Sequence, residues 1–244
     1  MGLEYARQLA ERGYDLILVS NREEELEEAR TGLLSAYSVR VTTRFQDLAR
    51  ADAADLLFAW CTDGLGVLPD IVVNNAGMFF FMELGPDDLG RVQAMLDLHV
   101  TTVMRTCLLF GEAMKRRGSG YLLIMSSMAA RIPAPGITLY SATKAFLRSF
   151  GRSLYFELKP YGVGVTTVCP AAVATPLYRL SAKLMRLGVG IGLIRTPRSL
   201  VRRALKALFR GRRTCAPGLM NVLLPPAIAL LPNPAVAALW KRLK

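Results

Sequence analysis

Short apolar runs alternate with longer amphipathic ones along the chain. Residues 14–20, 39–45, 71–73, 121–127 and 163–169 are apolar and rich in β-formers. At that length they predict buried strands. Residues 3–12, 23–36, 49–60, 86–117, 141–159 and 197–209 carry helical periodicity. Gly13 closes the first helix. Acidic residues open the second, where the helix dipole favours them. Pro86 suits a first helical position. Strand alternating with helix predicts a parallel sheet with helices on both faces. Right-handed crossovers make it an α/β, doubly wound sheet.

The length of 244 residues suits one α/β domain with an ample core. We place the domain at 1–216 and treat 217–244 as an apolar, proline-broken extension. There is no internal repeat and no secretory leader pattern. Cys61, Cys107, Cys169 and Cys215 are far apart and form no Cys-x-x-Cys pair. They read as buried thiols in a reducing compartment, which points to the cytoplasm. A single histidine, His99, excludes a His-rich zinc site. A Ser-His-Asp hydrolase would need His99 as its base, and no Gly-x-Ser-x-Gly elbow is present to carry the nucleophile.

Charge is unevenly placed. The formal net charge is +12, yet Glu157 is the last acidic residue and fifteen of the 31 Lys and Arg follow it. Such a block attracts anions: a phospholipid surface, or a phosphate-bearing cofactor or substrate carrier. A solvated basic face is the plainer alternative. No nucleic-acid motif accompanies it, so nucleic acid is not expected as a partner. In 197–209 the apolar positions share one side, flanked by Arg202, Arg203, Lys206 and Arg210. Residues 214–240 hold no charge but are interrupted by Pro217, Pro225, Pro226, Pro232 and Pro234. So many prolines argue against a spanning helix, which needs about 20 continuous apolar residues. The segment fits an interfacial anchor, a lid over a lipophilic pocket, or a dimer contact.

The chemistry is concentrated in Tyr140-Ser141-Ala142-Thr143-Lys144, with Ser127 thirteen residues before the tyrosine. Tyr and Lys four apart on a helix share a face. An ammonium beside a phenol favours the phenolate and equips it to exchange a proton near neutral pH. Ser127 ends a predicted strand, where open α/β sheets bind ligands. Singly, each residue has an ordinary structural reading: a strand-ending serine, a half-buried aromatic, a solvated lysine. As a set, they are spaced to hold a carbonyl or alcohol and pass its proton.

Ser127, Tyr140 and Lys144 resemble the catalytic set of the short-chain dehydrogenase/reductase family. Asn74-Asn75-Ala76-Gly77 resembles its NNAG motif, and Pro170-Ala171-Ala172-Val173-Ala174-Thr175 its Pro-Gly-x-Ile-x-Thr cofactor segment. The resemblance covers roughly residues 2 to 216. It implies a Rossmann-like fold with strand order 3-2-1-4-5-6-7, a nicotinamide cofactor, and a homodimer or homotetramer. It also implies an expectation about the beginning of the chain. The family opens with a strand and a Thr-Gly-x-x-x-Gly-Ile-Gly turn. Here Gly2 resembles the last glycine of that turn, so the first strand is expected to be missing.

The same resemblance places the remaining site residues. Tyr140 is the proton donor in reduction, Lys144 holds the nicotinamide ribose, and Ser127 bonds the substrate oxygen. His99 stands where the family carries a relay asparagine, either serving in its stead or merely packing. Gly2, Asn74, Ala76, Gly77, Pro170, Val173 and Thr175 fall on cofactor-binding positions. Asp47 and Leu48 match a pair that touches the adenine, although Asp47 equally suits a helix N-cap. Asn21 replaces an acid that would repel a 2′-phosphate, and Arg22 adds a cation. NADP(H) is therefore expected over NAD(H). The expected function is hydride transfer to or from a carbonyl or secondary alcohol, with a lipophilic substrate. A catalytically silent binding or scaffold protein is the alternative.

Overall fold

In a computed structural model the described residues are 1–132, 134–174, 194–218, 220–230, 232 and 234, and the predicted apolar runs become strands. In chain order the elements are α1 (Gly2–Ala10), β1 (Leu16–Ser20), α2 (Glu23–Ala36), β2 (Val41–Phe45), α3 (Ala53–Ala59), β3 (Ile71–Asn74), α4 (Leu89–Leu96), α5 (Thr102–Arg117), β4 (Gly120–Met125), α6 (Thr138–Leu158), β5 (Val163–Val168), α7 (Pro197–Phe209), β6 (Thr214–Cys215) and α8 (Met220–Ala229). Every strand pairing among them is parallel.

Strand β4 shows how sequence becomes layers. Side chains alternate across a strand. Leu123 and Met125 enter a core with α1 and α7, while Leu122 and Ile124 enter a second core with α5 and α6. A strand buried on both faces carries no polar side, which is why residues 121–125 read as continuous apolar sequence. Burying each such side chain contributes roughly 1.5–3 kcal/mol.

The strands form two sheets, β2–β1 and β3–β4–β5–β6. Strand β1 pairs with β2 and β3 with β4; no described residue pairs with the other edge of either. Between those edges lies a cavity of about 1340 Å³, lined by all of β1 and all of β3. The family order puts its first strand at this position.

One expectation is refined and two need correction. The stretch 86–117 is helical throughout, as the pattern predicts, but not uniformly α-helical: a π-helical turn, Asp97–Thr101, lies between α4 and α5 and carries His99. The basic helix α7 does not offer its apolar side to a membrane. Leu200, Val201, Ala204, Leu205 and Leu208 are core residues, and the Gln8 side chain of α1 donates to the Arg198 carbonyl at 3.0 Å. Arg202, Arg203 and Lys206 remain exposed. Finally, Pro225 and Pro226 lie inside α8. Pro225 has no N–H to give the Asn221 carbonyl. Arg131 supplies that bond from outside the helix, at 3.1 Å. Among the described residues no helix is long and apolar enough to cross a membrane.

Gly162 ends the turn after α6 at φ +75°, and a Cβ there would collide with the carbonyl oxygen of Gly118. Gly13 has a similar φ, +80°, but open space around it. An alanine at Gly13 meets only the left-handed penalty, about 1–2 kcal/mol. At Gly162 overpacking adds to that penalty, and the loss should reach about 3 kcal/mol or more. Urea unfolding midpoints of Gly13→Ala and Gly162→Ala check the difference.

Candidate active site

The C-terminal ends of β3, β4 and β5 point the same way and deliver three loops to one place. After β4 the chain passes through Ser126 and Ser127 into a 3-10 turn, Met128–Arg131, whose Ala129 N–H donates to Ser127 Oγ at 3.1 Å. An oxygen that accepts one bond retains its own hydrogen as a donor. Helix α6 then runs back over the sheet with Tyr140 and Lys144 one turn apart near its start. The ammonium of Lys144 lies 5.7 Å from the Tyr140 ring centre. Its Nζ donates to the Met125 carbonyl at 2.9 Å, and Ser126 Oγ donates to the Lys144 carbonyl at 2.7 Å.

Burial governs the electrostatics. Lys144 is 5% exposed. Loss of water disfavours its charged form and lowers its pKa from 10.5 to about 8, opposed by the Cys169 thiol. His99 is fully buried; burial first, and the Lys144 charge second, lower its pKa from 6.5 to about 3. Its Nε2 lies 3.0 Å from the Met78 N–H and its Nδ1 3.0 Å from Thr143 Oγ.

The loop after β3 explains the glycine at 77. A Cβ there would stand 3.0 Å from His99 Nε2 and 3.8 Å from Lys144 Nζ. Asn74 at the end of β3 donates its side-chain amide to Cys107 Sγ at 3.4 Å, and burial pushes that thiol up to about 12. A Cβ on Gly2, at the start of α1, would come within 3.1 Å of the Asn75 amide nitrogen. Helix α1 thus begins close against the β3 loop.

The sequence-predicted residues converge. Gly2, Asn21, Arg22, Asp47, Leu48, Asn74, Ala76, Gly77, His99, Ser127, Tyr140, Lys144, Pro170 and Val173 all border the cavity described above. Thr175 lies outside the described residues. Arg22 is exposed, with Nη1 2.8 Å from Glu25 Oε1. Such a pair is worth little, so the guanidinium can exchange partners. Asp47 is not a helix N-cap: it accepts from the Ala49 N–H at 2.9 Å, closing a turn before α3 begins at Ala53. A dinucleotide matches this lining, which offers a cation at Arg22, amides at Asn74 and Asn75, and hydroxyls beside Lys144.

A second cavity of about 200 Å³ adjoins the first and is lined by Phe79, Met128, Ala129, Ile132, Ile137, Ala171 and Ala172. Ser127, Tyr140 and Pro170 border both cavities. The sequence reading missed Phe79, whose ring stands edge-on to Tyr140 at 5.0 Å, and Thr143, the contact of His99. Thr143 sits inside the Tyr-to-Lys motif, but its role depends on a residue 44 positions away.

Comparison with known proteins gives the family and the fold. The family model described as short chain dehydrogenase matches residues 1–183. Among relatives, the very-long-chain 3-oxoacyl-CoA reductase-A of Danio rerio is 32% identical over 186 residues, which is 74% of this chain and 57% of the relative. The chain thus spans under three fifths of that relative's length. The very-long-chain 3-oxoacyl-CoA reductase of Macaca fascicularis is 29% identical over 238 residues, 96% of this chain and 72% of the relative. Among solved structures, a short-chain dehydrogenase from Sphingobium yanoikuyae in complex with NADPH superposes with a TM-score of 0.77. It is 23% identical, with 95% of this chain and 93% of that chain covered, and supports the fold.

The lowered pKa of Lys144 makes stability depend on pH. The unfolded lysine holds its proton up to 10.5, whereas the folded one releases it near 8. The unfolded chain therefore binds more protons in that window, and stability rises with pH across it. Lys144→Met should be more stable than the unsubstituted chain below pH 8, with the gap closing towards pH 10.5. Denaturant unfolding of both proteins at a series of pH values checks it.

Proposed function

Because the chain belongs to the short-chain dehydrogenase family, we propose that it is an NADP(H)-preferring oxidoreductase acting on the carbonyl or secondary alcohol of a lipophilic molecule. The observation that carries this reading is the shared border of Ser127 and Tyr140. On one side is a long cavity with amide, hydroxyl and cationic groups; on the other is a small apolar pocket. A molecule in the pocket places its polar atom where both hydroxyls reach it.

A nicotinamide held in the larger cavity would supply the hydride. The residues do the rest. Ser127 Oγ donates to the substrate oxygen and fixes the carbonyl. Tyr140 gives its phenolic proton to that oxygen during reduction and takes it back during oxidation. Lys144 holds positive charge beside the phenol and favours its ionised form; its lowered pKa makes that charge sensitive to mildly alkaline pH. Phe79 excludes water from one face of the phenol.

The apolar lining supports a substrate with a hydrocarbon body. A ketone on a long acyl chain fits, which is the chemistry named for the Danio rerio and Macaca fascicularis relatives. The exposed cations of α7 suit a phosphate-bearing carrier. The segment from Pro217 touches the 3-10 turn beside that pocket. Arg131, at the end of the pocket's 3-10 turn, bonds α8, which supports a lid. The alternative of a silent scaffold protein rests on His99, which stands where the family carries a relay asparagine.

Tyr140→Phe should retain the fold and lose carbonyl reduction by about 10²–10⁴-fold, the usual contribution of a positioned acid or base. Turnover of a long-chain 3-keto thioester with NADPH, alongside thermal unfolding of the variant, checks both parts. Wild-type rates in the variant would overturn the mechanism.

Arg22→Ala should weaken NADPH by about tenfold and leave NADH nearly unchanged, since only the former carries the phosphate a guanidinium pairs with. Titration of both cofactors by fluorescence measures it. Equal losses would remove Arg22 from cofactor choice.

A further inference from the structure

His99 is held by two hydrogen-bond partners, the Met78 N–H and the Thr143 hydroxyl. The Met78 backbone N–H, 3.0 Å from Nε2, can only donate. Nε2 must therefore present its lone pair, and the ring proton must sit on Nδ1. Nδ1 then donates to Thr143 Oγ at 3.0 Å, and Thr143 Oγ passes its own hydrogen to the Tyr140 carbonyl at 2.9 Å. Every donor in this chain meets an acceptor. The other tautomer sets N–H against N–H at Met78, and an imidazolium does the same.

We propose that His99 is a positioning residue, locked as the neutral Nδ1–H tautomer, which clasps the loop after β3 to the turn of α6 carrying Tyr140 and takes no part in proton transfer. A relay through imidazole needs the proton to arrive at one nitrogen and leave from the other. Nε2 is turned to a backbone group that cannot accept a proton, so the path ends there. The clasp also has a geometric consequence. A Cβ on Gly77 would stand 3.0 Å from His99 Nε2 and 3.8 Å from Lys144 Nζ, so the backbone there packs close to both. Holding Met78 therefore holds the cavity wall against the lysine. The neighbours that bear on the ring's charge are Lys144, which repels an imidazolium, and the Tyr140 ring, edge-on at 5.9 Å. The π-helical turn Asp97–Thr101 carries the imidazole between the two elements.

His99 is the sole histidine of the chain, so its imidazole resonances need no assignment. Nitrogen-15 correlation spectra of the intact protein between pH 5 and 9 should show one non-titrating ring with its hydrogen on Nδ1. A ring that titrates near its ordinary value, or carries its hydrogen on Nε2, overturns the proposal. A kinetic arm rests on the function proposed above. Thr143→Val removes the acceptor of the clasp but no relay group. It should lower kcat by about tenfold with KM little changed and the pH profile unshifted. His99→Gln, which keeps an acceptor for Met78, should recover more activity than His99→Ala. A silent Thr143→Val together with a shifted pH profile in His99→Gln would show a relay and overturn the clasp. A neutral Nδ1–H ring in a protein with no reductase activity would support the clasp while removing the proposed function.

Discussion

Two hydrogen bonds between the end of β4 and one residue of α6 set where the reactive groups stand. Lys144 Nζ reaches the Met125 carbonyl and Ser126 Oγ reaches the Lys144 carbonyl. Together they fix both the backbone and the side chain of one helical residue against a strand terminus. Tyr140 follows because it lies one turn earlier on the same helix. Ser127 follows because it is the next residue after the strand's anchor. The parallel ladder of β3, β4 and β5 makes this anchor rigid, and the two apolar cores on its faces keep water from competing for the bonds.

That anchor has an electrostatic cost. An ammonium 5% exposed has lost most of its hydration. Its partner, the Met125 carbonyl, is a dipole rather than a charge. The neighbour that favours its charge is the Cys169 thiol, and burial raises the pKa of that thiol in turn. The lysine is consequently poised close to losing its proton. A histidine beside it stays neutral for the same reasons of burial and repulsion. The site thus holds a buried ammonium near its midpoint beside an imidazole that stays neutral.

The strands and most helices were legible because period-2 and period-3.6 patterns follow from burial on known faces. The Ser127, Tyr140 and Lys144 set was legible because helical spacing brings two of its members together locally. The π-helical turn at Asp97–Thr101 was not, since it keeps the amphipathic pattern and changes only which carbonyl each N–H meets. The fate of α7 was hidden for another reason: an amphipathic helix looks the same whether its apolar side meets a sheet or a lipid. Thr143 and Phe79 act through contacts that no local spacing encodes. The helix across Pro225 was concealed because its missing donor is replaced by Arg131, 90 residues earlier in the chain.

The separation of the sheet into β2–β1 and β3–β6 bears on how a ligand is held. Asn21 and Arg22 ride on the first half, and Asn74 to Gly77 with the tyrosine and lysine ride on the second. Among the described residues no main-chain ladder joins these halves; the core that α1 shares with β1, β2, β4 and α7 bridges them. A ligand that touches both halves therefore depends on the separation this core sets. Substitutions in the α1 packing, remote from every recognition group, would consequently tune affinity as a spacer does, by altering the distance one ligand has to bridge.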